Sequence, residues 1–290
     1  MGGGSWTSAS YDAYTKTTRG MDSVTYAAST LNTQEVYKAR ALDKELNPKN
    51  VMRECCDTEE HPHTLPVILA LDVTGSMGMA ATEVAKKLGV IMGDLYDDKD
   101  IPDVEFCVMA VGDLYCDRAP IQISQFESDI RIAEQLDKVW FEGGGGGNKW
   151  ESYTAAWYMG VNHCKLDCWK RGKRGIIITL GDEQLNPYLQ APMLTKYVGD
   201  ENQEDIETGG LYEEASEKYE IHHISVNDRH SSYFRNNREN RVDNSWKGLL
   251  GQNYHVCTID ELAATIAEIV SGNTGAGETV FATPSDGISW

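Results

Sequence analysis

The sequence predicts an α/β protein built on a doubly wound, mostly parallel sheet. Short apolar runs without alternation, Val67 to Leu71 and Arg174 to Leu180 among them, are the pattern of strands buried on both faces. From residue 66 to residue 270 such runs alternate with segments of helical period, the order that lays helices over both faces of one sheet. Several runs stop at an acid, as at Asp72, Asp113 and Asp182. In open sheets of this kind ligands sit at the strand ends.

The elements follow in order. Residues 1–20 are rich in Gly, Ser, Thr and Tyr without periodicity, and are expected as an arm outside the core. Asn32 to Leu46 opens with a capping pattern, continues in good helix formers and stops before Pro48, which predicts a helix. Residues 47–65 are polar and read as a surface linker, and the whole 1–65 segment is expected either to wrap the domain or to reach for a partner. Val67 to Leu71, entered through Pro66, is the first core strand. Met77 to about Tyr96 follows as a helix, with Val84, Leu88, Ile91, Met92 and Leu95 at helical spacing. Val104 to Gly112 is a second central strand. Ile121 to Phe126 alternates, predicting a half-exposed edge strand, and Glu127 to Val139 reads as a short helix. Phe141 to Asn148 holds five consecutive glycines, a loop with almost no steric limit. The phosphate-binding pattern fails there, because Trp150 stands where a Ser or Thr must meet Mg²⁺.

Glu151 to Val161 reads as a helix, residues 184–203 as a long connection and Glu204 to Tyr219 as an acidic helix. Ile221 to Val226 is a strand on which His222 and His223 face opposite sides, one beside the core and the other half exposed. Trp246 to Leu250 closes a short helix. Tyr254 to Cys257 is the last strand and Ile259 to Val270 the last helix. The chain thus divides into an N-terminal arm and helix (1–65), an α/β domain (66–270) and a C-terminal tail (271–290).

The 290 residues carry a net charge of −19, from 45 acidic and 26 basic side chains. That balance argues against a nucleic-acid partner, which needs a basic footprint. It favours cations or basic partners, or simply keeps the chain soluble. No apolar run reaches the roughly 18 residues that span a membrane. The opening Met1-Gly-Gly-Gly-Ser-Trp6 lacks a charged region followed by an apolar stretch, so no secretion signal is expected. Trp6 also stands where a myristoylation motif wants Ser or Thr. Seven cysteines without an export signal point to a reducing cytoplasm. Cys107 and Cys257 fall in strands and are expected in the core. Cys55-Cys56 with His61 and His63, or His163 with Cys164 and Cys168, could bind zinc, but neither set has the paired spacing of a ribbon or finger.

The strongest chemical signal is Asp72-Val-Thr74-Gly-Ser76, between the first core strand and its helix. A carboxylate and two hydroxyls at alternate positions of an extended loop can converge on one point. Small oxygen ligands suit a hard cation such as Mg²⁺. A plainer reading has Ser76 only capping the helix. The loop resembles the metal-ion-dependent adhesion site of von Willebrand factor type A domains, Asp-x-Ser-x-Ser, with Thr74 in place of the first Ser. Type A domains draw their ligands from three loops in the order found here. These are the Asp72 loop, a Gly-rich loop before a helix bearing Ala155-Ala156, and an acid after a third buried strand, Asp182.

The resemblance covers residues 66–270. It implies a Rossmann-like sheet of about six mostly parallel strands with an antiparallel edge. It also implies Mg²⁺, with Mn²⁺ or Ca²⁺ as alternatives, on Asp72, Thr74, Ser76, Asp182 and a second-loop residue. Two departures stand out. The family usually has Thr-Asp-Gly after the third strand, whereas Thr179-Leu-Gly-Asp182-Glu183 places the acid later. The family's second-loop Thr position, counted back from Ala156, falls on Glu151, with Ser152 and Thr154 as nearby alternatives. An acid there would close the site as a built-in sixth ligand or swing aside when a partner arrives. Alternatively, it only favours the helix N-terminus through the dipole.

The function implied is a divalent-cation-dependent protein-binding module rather than an enzyme, the partner offering an acidic side chain to the metal. Cytoplasmic microbial members of the family often work beside ring-shaped AAA ATPases of the MoxR type, so an adaptor for such an ATPase is expected. A structural or assembly protein of a phage or similar particle, using its termini as arms, is the alternative. A metal-dependent hydrolase is a further one, and would need a second acid poised beside Asp72. Against it, Thr74 stands where a haloacid dehalogenase-type phosphatase has its second Asp, and no nucleophile elbow is present.

Overall fold

The computed structural model describes residues 4–97, 103–144, 150–226 and 235–272. In chain order the elements are α1 (Ser8–Arg19), α2 (Ser23–Ala27), α3 (Thr33–Val36), β1 (Arg53–Cys55), β2 (Leu65–Asp72), α4 (Gly78–Asp97), β3 (Val104–Val111), β4 (Ile121–Glu127), α5 (Arg131–Asp137) and α6 (Ala155–His163). There follow β5 (Cys164–Leu166), β6 (Gly175–Gly181), β7 (Tyr188–Leu189), α7 (Ala191–Tyr197), β8 (Ile206–Glu207), α8 (Thr208–Lys218), β9 (Tyr219–Val226), α9 (Arg235–Leu250), β10 (Tyr254–Cys257) and α10 (Leu262–Gly272).

Every residue of β2 is buried. Val67, Leu69 and Leu71 enter one apolar cluster, while Ile68 and Ala70 enter the other. Two buried faces leave no position for a polar residue, which is why the run does not alternate. Around β2 the central sheet has six strands in the order β10-β9-β6-β2-β3-β4. All pairs are parallel except β3 with β4. This is the doubly wound architecture with an antiparallel edge. Helices α1 to α5 and α10 supply the cluster on one face, and α6 to α9 the cluster on the other.

The order also places the site. The chain starts the central sheet at β2, builds β3 and β4 to one side, then returns to lay β6, β9 and β10 on the other. The reversal falls between β2 and β6, the position where open sheets leave a crevice at the strand ends. Asp72 ends β2, and Asp182 follows the last residue of β6.

The N-terminal residues depart from expectation. Trp6, Tyr11, Tyr26 and Tyr37 are buried in the core, so the segment expected as an arm lies against the domain. The hydroxyls of Tyr11 and Tyr37 donate to the Ala85 and Ala81 carbonyls of α4, at 3.3 and 2.8 Å. The face of α4 that receives them is made of small residues, Gly78, Ala81, Ala85 and Gly89. A Cβ on Gly89 would strike the Tyr11 ring, and one on Gly78 would strike Thr33. The helix expected over 32–46 stops at Val36, although Asn32 and Glu35 do form its capping box. Tyr37 leaves helical geometry (φ −93°, ψ 96°) and sends its ring into the core, where burial outweighs helix propensity.

Other corrections are local. Residues 47–65 contain β1, which pairs in parallel with β5, and residues 184–203 contain α7. β4 is the antiparallel edge but is buried rather than half exposed. Its outer side is closed by Leu46, whose carbonyl accepts from Ile123 N at 2.9 Å, and by Arg53, which donates to the Ile123 carbonyl at 2.7 Å. Covering an edge in this way blocks pairing with another chain. His222 and His223 are both buried. His222 Nδ1 lies 3.0 Å from His255 Nε2, and the His223 ring stacks on Trp246 at 3.6 Å. The tail beyond residue 272 and most of the glycine run, residues 145–149, lie outside the described residues.

Candidate metal site

The Asp72 loop is set by its own hydrogen bonds. Asp72 is buried, and its Oδ1 accepts from both the amide and the hydroxyl of Thr74. Gly75–Met77 then turns once as a 3₁₀ segment into α4. Ser76 is exposed, and its hydroxyl donates to Asp182 Oδ1 at 3.0 Å. Two hydroxyls therefore give their protons to carboxylates. What they offer outward is lone pairs, the form in which Ser and Thr bind a cation.

The second loop is laced to the first. Gly143 N donates to Val73 O at 3.2 Å, and Gly75 N to Gly144 O at 2.9 Å. Gly143 has φ +63°, a left-handed backbone that favours glycine. The helix expected from Glu151 begins only at Ala155, so residues 151–154 form a turn facing the Asp72 loop. Tyr153 crosses the site. Its hydroxyl donates to Asp72 Oδ2 at 2.7 Å and accepts from Glu183 N at 3.2 Å. It thereby joins all three loops.

Of the second-loop candidates, two are already engaged. Thr154 bonds both ways with the Asn186 side chain, and the Ser152 hydroxyl accepts from Leu114 N at 3.0 Å. Glu151 is 5% exposed, and its Oε2 has no hydrogen-bond partner. Burial, then the charge of Asp72, pushes the Glu151 carboxyl up to about 9. Burial pushes Asp72 up to about 7, against the bonds from Thr74 and Tyr153. Buried carboxyls raised in this way take up either protons or a cation. The donor set of Asp72, Thr74, Ser76, Asp182 and Glu151 thus fits a hard divalent ion in its chemistry.

Among the described residues, no three His, Cys, Asp or Glu side chains already gather as a metal cage. The zinc alternatives are placed accordingly. His163 is held by Val51 O at 2.9 Å and Asp200 at 2.7 Å, while Cys55, Cys164 and Cys168 are buried free thiols. No described helix is long and apolar enough to cross a membrane. Tyr153 is the residue that the motif does not predict. Its partner is the motif's own aspartate, so only the fold reveals it.

No family model and no curated protein matches the chain. Similar solved structures include the pilus adhesin SpaC from Lactobacillus rhamnosus GG in its open conformation. That match has a TM-score of 0.49 and 12% identity, over 78% of this chain and 31% of that one. The vWF domain of the type V pili tip protein Mfa5 from Porphyromonas gingivalis aligns with a TM-score of 0.42 and 12% identity, over 76% and 98% of the two chains. The conserved hypothetical protein BatB from Bacteroides thetaiotaomicron gives 0.42 and 13%, over 73% and 100%. The chain spans about a third of the length of SpaC. The fold class here rests on strand order and register.

Proposed function

We propose that this chain is a von Willebrand factor type A-like module that binds a protein partner through a divalent cation. The cation would sit on Asp72, Thr74, Ser76, Asp182 and Glu151, with Mg²⁺ first and Mn²⁺ or Ca²⁺ as substitutes. The observation that supports this best is the pair of hydroxyls, Thr74 and Ser76, whose protons are taken by Asp72 and Asp182. They lie at the reversal of the sheet, and Ser76 opens to solvent. A bound cation supplies a positive centre that a partner's carboxylate can complete. The chain's own residues orient the ligands and fix the loop.

We read the module as a binder, not an enzyme, and place it in the cytoplasm. Seven free cysteines suit a reducing compartment. The partner class we put first is an AAA ATPase of the MoxR type, on the sequence resemblance alone. The assembly reading needs a free N-terminal arm, and Trp6, Tyr11 and Tyr37 are instead buried against the chain's own core. Calorimetric titration with Mg²⁺ and Mn²⁺ tests the site. Binding by wild type that is lost in Thr74→Val, with both chains folded, supports it. No binding by wild type at millimolar cation overturns it.

A further inference from the structure

At the end of the sheet away from Asp72, where β2 and β3 begin, the chain buries a histidine among acids and a thiol. His61 is 4% exposed. The loop that carries it is tied down on both sides. Thr58 N donates to His61 O at 2.9 Å, His61 N to Thr58 Oγ1 at 3.0 Å, and the Thr64 hydroxyl to Asp57 Oδ1 at 2.9 Å. The ring is oriented by its Nε2, which lies 3.2 Å from the Gly4 carbonyl. A carbonyl only accepts, so Nε2 carries the proton and, in the neutral ring, Nδ1 is a lone pair. Nδ1 is buried without a hydrogen-bond partner and lies 3.4 Å from Asp103 Oδ1.

Two acceptors that face each other in a buried place call for a positive group between them. A proton on Nδ1 would answer Asp103 alone, but more is gathered here. Glu105, the second residue of β3, is 8% exposed. Burial raises its carboxyl, against a hydrogen bond from the Cys55 thiol and the charge of His61. Cys55 ends β1 and is a fully buried free thiol. Burial, then the charge of Glu105, holds that thiol protonated. Of the four residues read together as a zinc candidate in the sequence, Cys55 and His61 are buried, whereas Cys56 is half-buried and His63 exposed.

We propose that Cys55, His61 and Glu105, with Asp103 at the rim, bind a zinc ion. Sulfur, nitrogen and oxygen donors in one set suit this borderline-soft ion, whereas Mg²⁺ and Ca²⁺ take oxygen ligands. The Gly4 carbonyl on the Nε2 proton is the outer-shell partner that fixes the tautomer of a metal-bound imidazole. Among the described residues these groups do not already form a cage, and the two acids reach the ion by turning about their own side-chain bonds. On binding, the S–H bond of Cys55 breaks, its sulfur takes the metal and the proton leaves to solvent. The ion joins the end of β1, the 57–64 loop, the start of β3 and, through His61, the segment at Gly4. It is independent of the reading of the Asp72 loop.

Cobalt titration of the full chain, stripped of metal and kept reduced, tests this. A cobalt–thiolate bond gives a near-ultraviolet charge-transfer band that an all-oxygen site does not. Wild type should show the band, saturating at one Co²⁺ per chain, and one equivalent of Zn²⁺ should remove it. Asp72→Asn should keep the band, Cys55→Ser should lose it, and His61→Gln should bind Co²⁺ about tenfold more weakly or worse, each variant being checked for folding by circular dichroism. No band in wild type at millimolar Co²⁺ overturns the proposal. So does a band that survives in Cys55→Ser, that is lost in folded Asp72→Asn, or that forms in His61→Gln with unchanged affinity. Should Cys55→Ser or His61→Gln fail to fold, X-ray absorption of zinc-loaded wild type decides. A first shell of sulfur with nitrogen or oxygen supports the site, and a shell without sulfur overturns it.

Discussion

The phenol of Tyr153 donates to Oδ2 of Asp72 at 2.7 Å, inside a site where Asp72 is 1% exposed. A hydrogen bond to a buried charged group contributes about 1.5–3 kcal/mol. Tyr153→Phe keeps the ring against Trp246 and His223 and removes only the donor. It should lower the unfolding free energy by about 2 kcal/mol in urea denaturation. A change within about 0.5 kcal/mol, the range of an ordinary surface substitution, would mean that the bond does not hold the loops together.

Gly181 leaves room for that phenol. A Cβ added there would overlap the Tyr153 hydroxyl and ring, and both side chain and strand are packed on all sides. Gly181→Ala should cost about 1–3 kcal/mol, the range of overpacked cores, and should weaken cation binding by displacing Tyr153. Unchanged stability and unchanged binding together would contradict the close packing of Gly181 on Tyr153.

Glu151 lacks a hydrogen bond at one buried oxygen. Replacing it by Thr removes that unpartnered group. Glu151→Thr should raise stability in a chelating buffer by about 1–3 kcal/mol. The same change should weaken Mn²⁺ binding about tenfold, or about 1.4 kcal/mol. Tighter Mn²⁺ binding in the variant would show that Glu151 is not a ligand.

His223 gives the fold a pH dependence of known sign. Burial, with the charge of His255 adding to it, holds the ring neutral, well below its ordinary 6.5. In the unfolded chain the ring takes a proton as pH falls through about 6.5. The unfolded state then binds more protons than the folded one, so this residue's share of the stability is full above that pH and is lost below it. His223→Phe keeps the stack on Trp246 and removes the titration. Thr179 keeps an acceptor in the His222 carbonyl at 3.2 Å. Between about pH 7 and about pH 5 the melting temperature of wild type should drop further than that of the variant. Parallel drops would assign the dependence to other groups.

The sheet is legible in the sequence because burial on both faces leaves β2, β3 and β6 mostly apolar, and several short apolar runs in alternation with helices mark a covered parallel sheet. The Asp72 loop is legible because its ligands are local and alternate along one short stretch. The N-terminal segment is not. Trp6, Tyr11 and Tyr37 have no period among themselves, and what makes them core residues is a row of small side chains on α4, far along the chain. Tyr153 has no sequence signal at all.

The clasp on α4 has a consequence for hydrogen exchange. The sheet and α10 cover one side of this helix, and Tyr11, Tyr37 and Thr33 cover much of the other. Its exposed strip runs through Met79 and Val90. Opening α4 first requires lifting off residues that are themselves buried, so its amide protons should exchange only when the whole domain opens. The Asp72 loop feeds directly into α4. It should therefore open with that helix, and a cleavage within residues 8–37 should be felt at the loop although it touches none of the ligands.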